Sequence, residues 1–158
     1  MKALEYSDKK KIKKLISGKK VVLVGGCFDI IHLGHIKFLE GAKKQGDFLV
    51  VALESDEFIK KRKNKNPFHN IDERAEILSS IIYVDLVIKL PMFKNNHQYL
   101  ELTKLIMPKV IGVSQNDPYL KEKQIQAKEV GGKVKVVSKI IKKFSSTQAI
   151  RYETILSN

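Results

Sequence analysis

Five short apolar runs constrain this chain more than any other feature: Val21-Val22-Leu23-Val24, Phe48-Leu49-Val50-Val51-Ala52-Leu53, Val84-Asp85-Leu86-Val87-Ile88, Val110-Ile111-Gly112-Val113 and Val134-Lys135-Val136-Val137. They are rich in valine and isoleucine, and the first two are continuous rather than alternating. That pattern suits strands buried on both faces of a parallel sheet. The segments between them read as helices. Ile36, Phe38, Leu39 and Ala42 make an apolar face that ends near Gly46. Asp72 is placed to cap a helix carrying Ala75, Leu78, Ile81 and Ile82. Tyr99, Leu102, Leu105 and Ile106 make a third, stopped by Met107-Pro108. Asp117-Pro118 reads as a cap and first helical residue, with Gly131-Gly132 closing that helix. Further helices are expected from Asp8 to Ser17 and from Ser145 or Ser146 through Leu156.

Strand and helix alternate throughout, so the expected architecture is α/β: a Rossmann-like doubly wound sheet of about five parallel strands flanked by helices. One domain over residues 1–158 accounts for it, its first nineteen residues being a basic helical extension. Lys60 to Asn66 is the stretch that resembles a mobile charged loop. No run approaches the ~18 apolar residues of a membrane span. Cys27 is the only cysteine, which excludes an internal disulfide framework and fits a reducing, cytoplasmic setting. The net charge of +13 favours anionic partners such as nucleotides and phosphorylated metabolites. A solvated lysine-rich face explains the N-terminal cluster equally well.

Ligands of open parallel sheets bind beyond the carboxyl ends of the strands. The first strand is expected to end at Val24, which sets Gly25 to His35 at that edge. Gly25 and Gly26 permit a tight turn and close approach to a phosphate. His32 and His35 are three residues apart and share a face of a first helical turn, with Gly34 between them leaving room. The free N–H groups of that helix start favour an anion beside both imidazoles.

Gly26-Cys27-Phe28-Asp29 followed by His32-Leu33-Gly34-His35 resembles the cytidylyltransferase-like nucleotidyltransferase family with its HxGH signature. Ser55-Asp56-Glu57, Glu73-Arg74 with Tyr83-Val84-Asp85, and Phe144-Ser145-Ser146-Thr147 look like its later motifs, in order. The pattern is closest to the heptose-phosphate adenylyltransferase and glycerol-3-phosphate cytidylyltransferase groups. The resemblance implies transfer of a nucleotidyl group from ATP or CTP to a small phosphorylated acceptor, with pyrophosphate leaving and no protein nucleophile. Mg²⁺ is expected with the triphosphate rather than in a metal-ligand cluster. By family position His32 and His35 donate to the triphosphate. Asp29 orders the loop or the nucleotide end of the site. Lys63 and Lys65, ahead of Phe68-His69, supply mobile positive charge. Arg74 is expected to grip phosphate bidentately, with a surface ion pair as its alternative. Ser145, Ser146 and Thr147 would present hydroxyls and N–H groups to phosphate, a role compatible with helix capping. Gly25, Gly26, Cys27, Phe28, Gly34, Ser114 and Asn116 complete the expected nucleotide site, Cys27 being explained by packing alone.

The chain departs from the family where base and acceptor are selected. Val113-Ser114-Gln115-Asn116-Asp117 replaces the Gly-Asp-Asp-Trp of the glycerol type and the Gly-Gly-Asp-Tyr of the heptose type. Ile82 stands where the glycerol type has arginine, which weakens glycerol 3-phosphate with CTP. Gly26-Cys27-Phe28-Asp29 and Val130-Gly131-Gly132-Lys133-Val134 lean towards the heptose type, and an FAD-synthetase-like adenylyltransferase is a further alternative. Outside enzymes, the alternatives are a nucleotide sensor and a nucleic-acid-binding module. Against the latter, clustered lysines alone give only salt-dependent, nonspecific binding. Relatives are commonly dimers, so a homodimer is expected.

Overall fold

The structure, a computed structural model, describes residues 2–139. Its elements are β1 (Ala3–Glu5), α1 (Lys9–Ile16), β2 (Val21–Gly26), α2 (Leu33–Lys43), β3 (Phe48–Leu53), α3 (Asp56–Lys63), α4 (Ile71–Ser80), β4 (Leu86–Lys89), α5 (Asn96–Ile106), β5 (Val110–Ser114), α6 (Leu120–Glu129) and β6 (Lys133–Ser138). The six strands form one sheet in the order β1-β4-β3-β2-β5-β6. Every pairing is parallel, with Val22 opposite both Leu49 and Val110 at the centre.

Continuous apolar strands are needed because both faces of the sheet are covered. Val21 and Leu23 turn to one face, where they meet Leu4, Ile12, Ile16, Leu102 and Ile106. Val22 and Val24 turn to the other, against Leu39, Ala42, Ala75 and Leu78. Alternate residues of one strand thereby anchor α1 and α5 on one side and α2 and α4 on the other. The chain leaves β2 in one direction through β3 to β4 and in the other through β5 to β6, so the sheet reverses between β2 and β5. A crevice opens there by geometry alone.

Several expectations need correction. A sixth strand, β1, docks on β4 at the sheet edge. Residues 60–63 belong to a helix rather than a loop: the Ser55 hydroxyl accepts from Phe58 N–H, Ile59 is buried, and Asn64 ends α3 in the left-handed region (φ 50°). Asn70, not Asp72, caps α4. Its side chain accepts from Asp72 and Glu73 N–H while Glu73 reaches back to Asn70 N–H at 2.9 Å. Ile81 ends that helix yet still packs against the core beside Ala75 and Leu78, whereas Ile82 is 81% exposed and does not extend the apolar face. Asp117 caps a turn by accepting from Tyr119 N–H at 2.8 Å, and α6 starts only at Leu120. The first central strand continues beyond Val24 to Gly26. The helix expected through Leu156 lies outside the described residues.

Candidate nucleotidyl-transfer site

Beyond β2 the backbone turns sharply at Phe28, whose φ of 46° is left-handed although it is not glycine. The turn buries the Phe28 ring, which packs 5.2 Å from His35 and 6.4 Å from Phe38, centre to centre. It also explains Gly26: a Cβ there would stand 2.8 Å from the Phe28 ring. Asp29 is buried and its Oδ1 accepts from Phe68 N–H at 2.8 Å and His69 N–H at 3.1 Å. One carboxylate thus ties the loop before α4 to the turn after β2.

His32 is the N-cap residue of α2, and its carbonyl accepts from His35 N–H at 2.9 Å. Starting the helix here stacks the imidazoles of His32 and His35 with centres 3.9 Å apart and planes 22° from parallel. Both line a cleft of about 240 Å³ with Gly25, Gly26, Cys27, Gly34 and Ser114. Burial holds both histidines below the ordinary imidazole value. His35 falls to about 4, because burial is reinforced by His32 and by the positive charge of Lys63, against a raising hydrogen bond with the Ile30 backbone. At neutral pH both rings are therefore uncharged N–H donors beside a helix N-terminus. Lys63 is exposed at the end of α3, with its charge felt at His35 and at Cys27. Burial pushes the Cys27 thiol up, so it is not primed as a nucleophile.

Arg74 differs from its expected role. It is fully buried and turned into the protein: Nε donates to the His69 carbonyl at 3.1 Å, and Nη1 to Cys27 and Glu54 carbonyls at 2.6 and 2.9 Å. Nη2 meets Asp56 at 2.6 Å. The guanidinium clasps three loops beneath the site instead of facing a phosphate. Asn116, with φ 61°, is exposed in the turn after β5 and does not line the cleft. Lys65 is half-buried in the loop after α3 and also stands outside that lining. Ser145, Ser146 and Thr147 lie outside the described residues.

A second, larger cavity of about 400 Å³ shares Gly25, Gly26, Cys27 and Asp117 with the histidine cleft. It opens on the other side of the β2 end, between α3, α5 and α6, and Glu54 and Tyr99 line it. No sequence motif marks either residue. Their spacing in sequence is unremarkable, and only the pairing of β3 with β4 and the placement of α5 bring them together. Glu54 is buried, its Oε1 accepts from the Tyr99 hydroxyl at 3.0 Å, and burial raises its carboxyl above the usual range. Burial, then the carboxylate of Glu54, push the Tyr99 phenol up in turn.

Residues 23–156 match the model of the cytidylyltransferase-like family. Over 152 residues the chain is 38% identical to the bifunctional protein HldE of Aliarcobacter butzleri, covering 96% of this chain and 30% of that protein. It is 42% identical over 120 residues to the FAD synthase of Pyrococcus abyssi, covering 73% of this chain and 77% of that one. The chain therefore spans under a third of the first relative and most of the second. Among solved structures, the lipopolysaccharide core biosynthesis protein of Thermoplasma volcanium superposes with a TM-score of 0.62 at 29% identity, covering 78% of this chain and 97% of that one. With the HxGH histidines stacked at the start of α2, at the sheet's reversal point, the chain belongs to the cytidylyltransferase-like nucleotidyltransferase family.

Proposed function

We propose that the protein transfers AMP from ATP to a phosphomonoester acceptor. An acceptor phosphate oxygen attacks the α-phosphorus, the bond to the bridging α–β oxygen breaks, and pyrophosphate leaves. The observation that carries this reading is the pair of cavities meeting across Gly25–Cys27. One is suited to a triphosphate, the other to an organic acceptor, and they share the edge at which the two must react. The uncharged N–H donors of His32 and His35 and the start of α2 would stabilise charge spreading over phosphoryl oxygens, with Lys63 adding a mobile cation. ATP is favoured as donor because the name of one relative, FAD synthase, denotes a product that contains an AMP unit.

Mg²⁺ would enter bound to the triphosphate. Among the described residues no group of three or more His, Cys, Asp or Glu side chains converges to hold it. Ser145, Ser146 and Thr147 remain proposed phosphate ligands. A cytoplasmic homodimer completes the proposal.

The test is pyrophosphate release with ATP, CTP, GTP and UTP against flavin mononucleotide, a heptose 1-phosphate and glycerol 3-phosphate. Turnover is expected with ATP alone. Release with CTP alone overturns the donor, and nucleotide binding without release from any pair indicates a sensor. His35→Ala should lower kcat at least about a hundredfold, the usual effect of losing one well-placed donor, with the melting temperature preserved.

A further inference from the structure

The larger cavity has a feature that packing does not explain. Its buried wall is mostly apolar, formed by Leu23, Ala52, Phe93, Leu102 and Ile111 with Thr103, whose hydroxyl donates to the Tyr99 carbonyl, yet Glu54 stands among them at 8% exposure. Oε1 is satisfied by Tyr99, whereas Oε2 is buried with no hydrogen-bond partner among the described residues. Among the described residues no cation completes it: Arg74 is committed to Asp56 and three carbonyls, Lys123 to Asp117 at 2.8 Å, and Arg62 to the Tyr119 hydroxyl. A buried carboxyl oxygen left without a partner is costly, and a leucine would serve packing better. Such an atom in a ligand-sized chamber is explained by a donor arriving with the ligand.

The same wall restricts the ligand's body. A polyol needs a partner for each hydroxyl it buries, and the apolar side chains of this wall offer none. Of the other charged groups, Arg62 and Lys94 are exposed at the rim, Glu122 is half-buried, and Asp117 and Lys123 pair with each other. Aromatic rings of Phe58, Phe93, Tyr99 and Tyr119 line the chamber and present surfaces for a flat ring system.

We propose that Glu54 is the specificity-determining residue of the acceptor chamber, and that the acceptor's end remote from its phosphate is a flat, largely apolar ring bearing an N–H or O–H that bonds Glu54 Oε2. This rests on the transfer reading above for the ligand's role as acceptor, not for its binding. The raised carboxyl of Glu54 agrees with a site that lacks its donor until the ligand is present.

Flavin mononucleotide, with one ring N–H, is the test ligand, and its ring-N-methylated form removes that donor. Binding is read by flavin fluorescence with a non-hydrolysable ATP analogue present. The unmethylated flavin should bind the native protein about tenfold to a hundredfold more tightly than the methylated one, the range for a hydrogen bond to a charged group. Glu54→Leu should lose the same factor for the unmethylated flavin, show no further loss on methylation, and bind the ATP analogue unchanged. The ligand-side comparison holds even if that variant fails to fold. Equal binding of both flavins to the native protein overturns the Glu54 assignment. Tighter binding of a heptose 1-phosphate than of either flavin overturns the ring class. Donor-dependent flavin binding without pyrophosphate release from any pair supports the chamber assignment while removing the transfer reading.

Discussion

Arg74 holds the site together from beneath. Its three carbonyl partners belong to the turn after β2, the end of β3 and the loop before α4, so one side chain fixes all three. Arg74→Ala strands those carbonyls and the Asp56 carboxylate, and should lower stability by about 3–5 kcal/mol in urea denaturation. Unchanged stability with lost activity would return Arg74 to the phosphate role. Sequence alone shows an arginine near a phosphate-binding turn; which way the guanidinium points depends on carbonyls distant in sequence. Glu54 was illegible for the same reason, since an acid after a strand looks alike whether buried or solvated. The histidines were legible because their spacing and their helix start are both local. Their burial has a consequence for pH. With the folded-state value of His35 at about 4, below its ordinary value, the unfolded chain takes up the proton first as pH falls. The stability associated with the neutral ring is complete above about pH 6.5 and is lost as pH falls through 4. Urea midpoints measured at pH 7, 5.5 and 4.5 should decline in the native protein and decline less in His35→Ala.

At the scale of elements, the best-defined helix start lies next to the site. The Asn70 capping box orders the first turn of α4, immediately after the loop that Asp29 holds. Asn70→Ala should cost about 1 kcal/mol, or roughly 2–4 °C in melting temperature. Amide exchange at residues 68 and 69 should quicken alongside. Where elements were misread, little apolar surface was available to read. In α3 only Ile59 is buried, amid four basic residues of its last turn, so helix resembled charged loop. β1 is three residues long with one buried side chain, too short for any period to register.

For the whole molecule, the alternation of apolar runs with helical segments was sufficient to place a parallel sheet covered on both faces. Strand order was not readable from it, because identical runs permit several orders and only packing selects one. That order has a kinetic meaning. β1 pairs Leu4 with Ile88 across most of the folded chain, and no hairpin anywhere in the described sheet offers a local start. Closing such loops is slow, and an edge strand joined to one neighbour has least reason to form early. Leu4 is nonetheless buried in the core against α1 and α5. Leu4→Ala should therefore destabilise by about 2–5 kcal/mol, nearly all of it as faster unfolding, with the refolding rate in stopped-flow almost unchanged. A matching drop in refolding rate would place the amino-terminal strand in the nucleus instead. If the refolding rate holds, β1 joins last and acts as the latch that sets how long the folded domain stays closed.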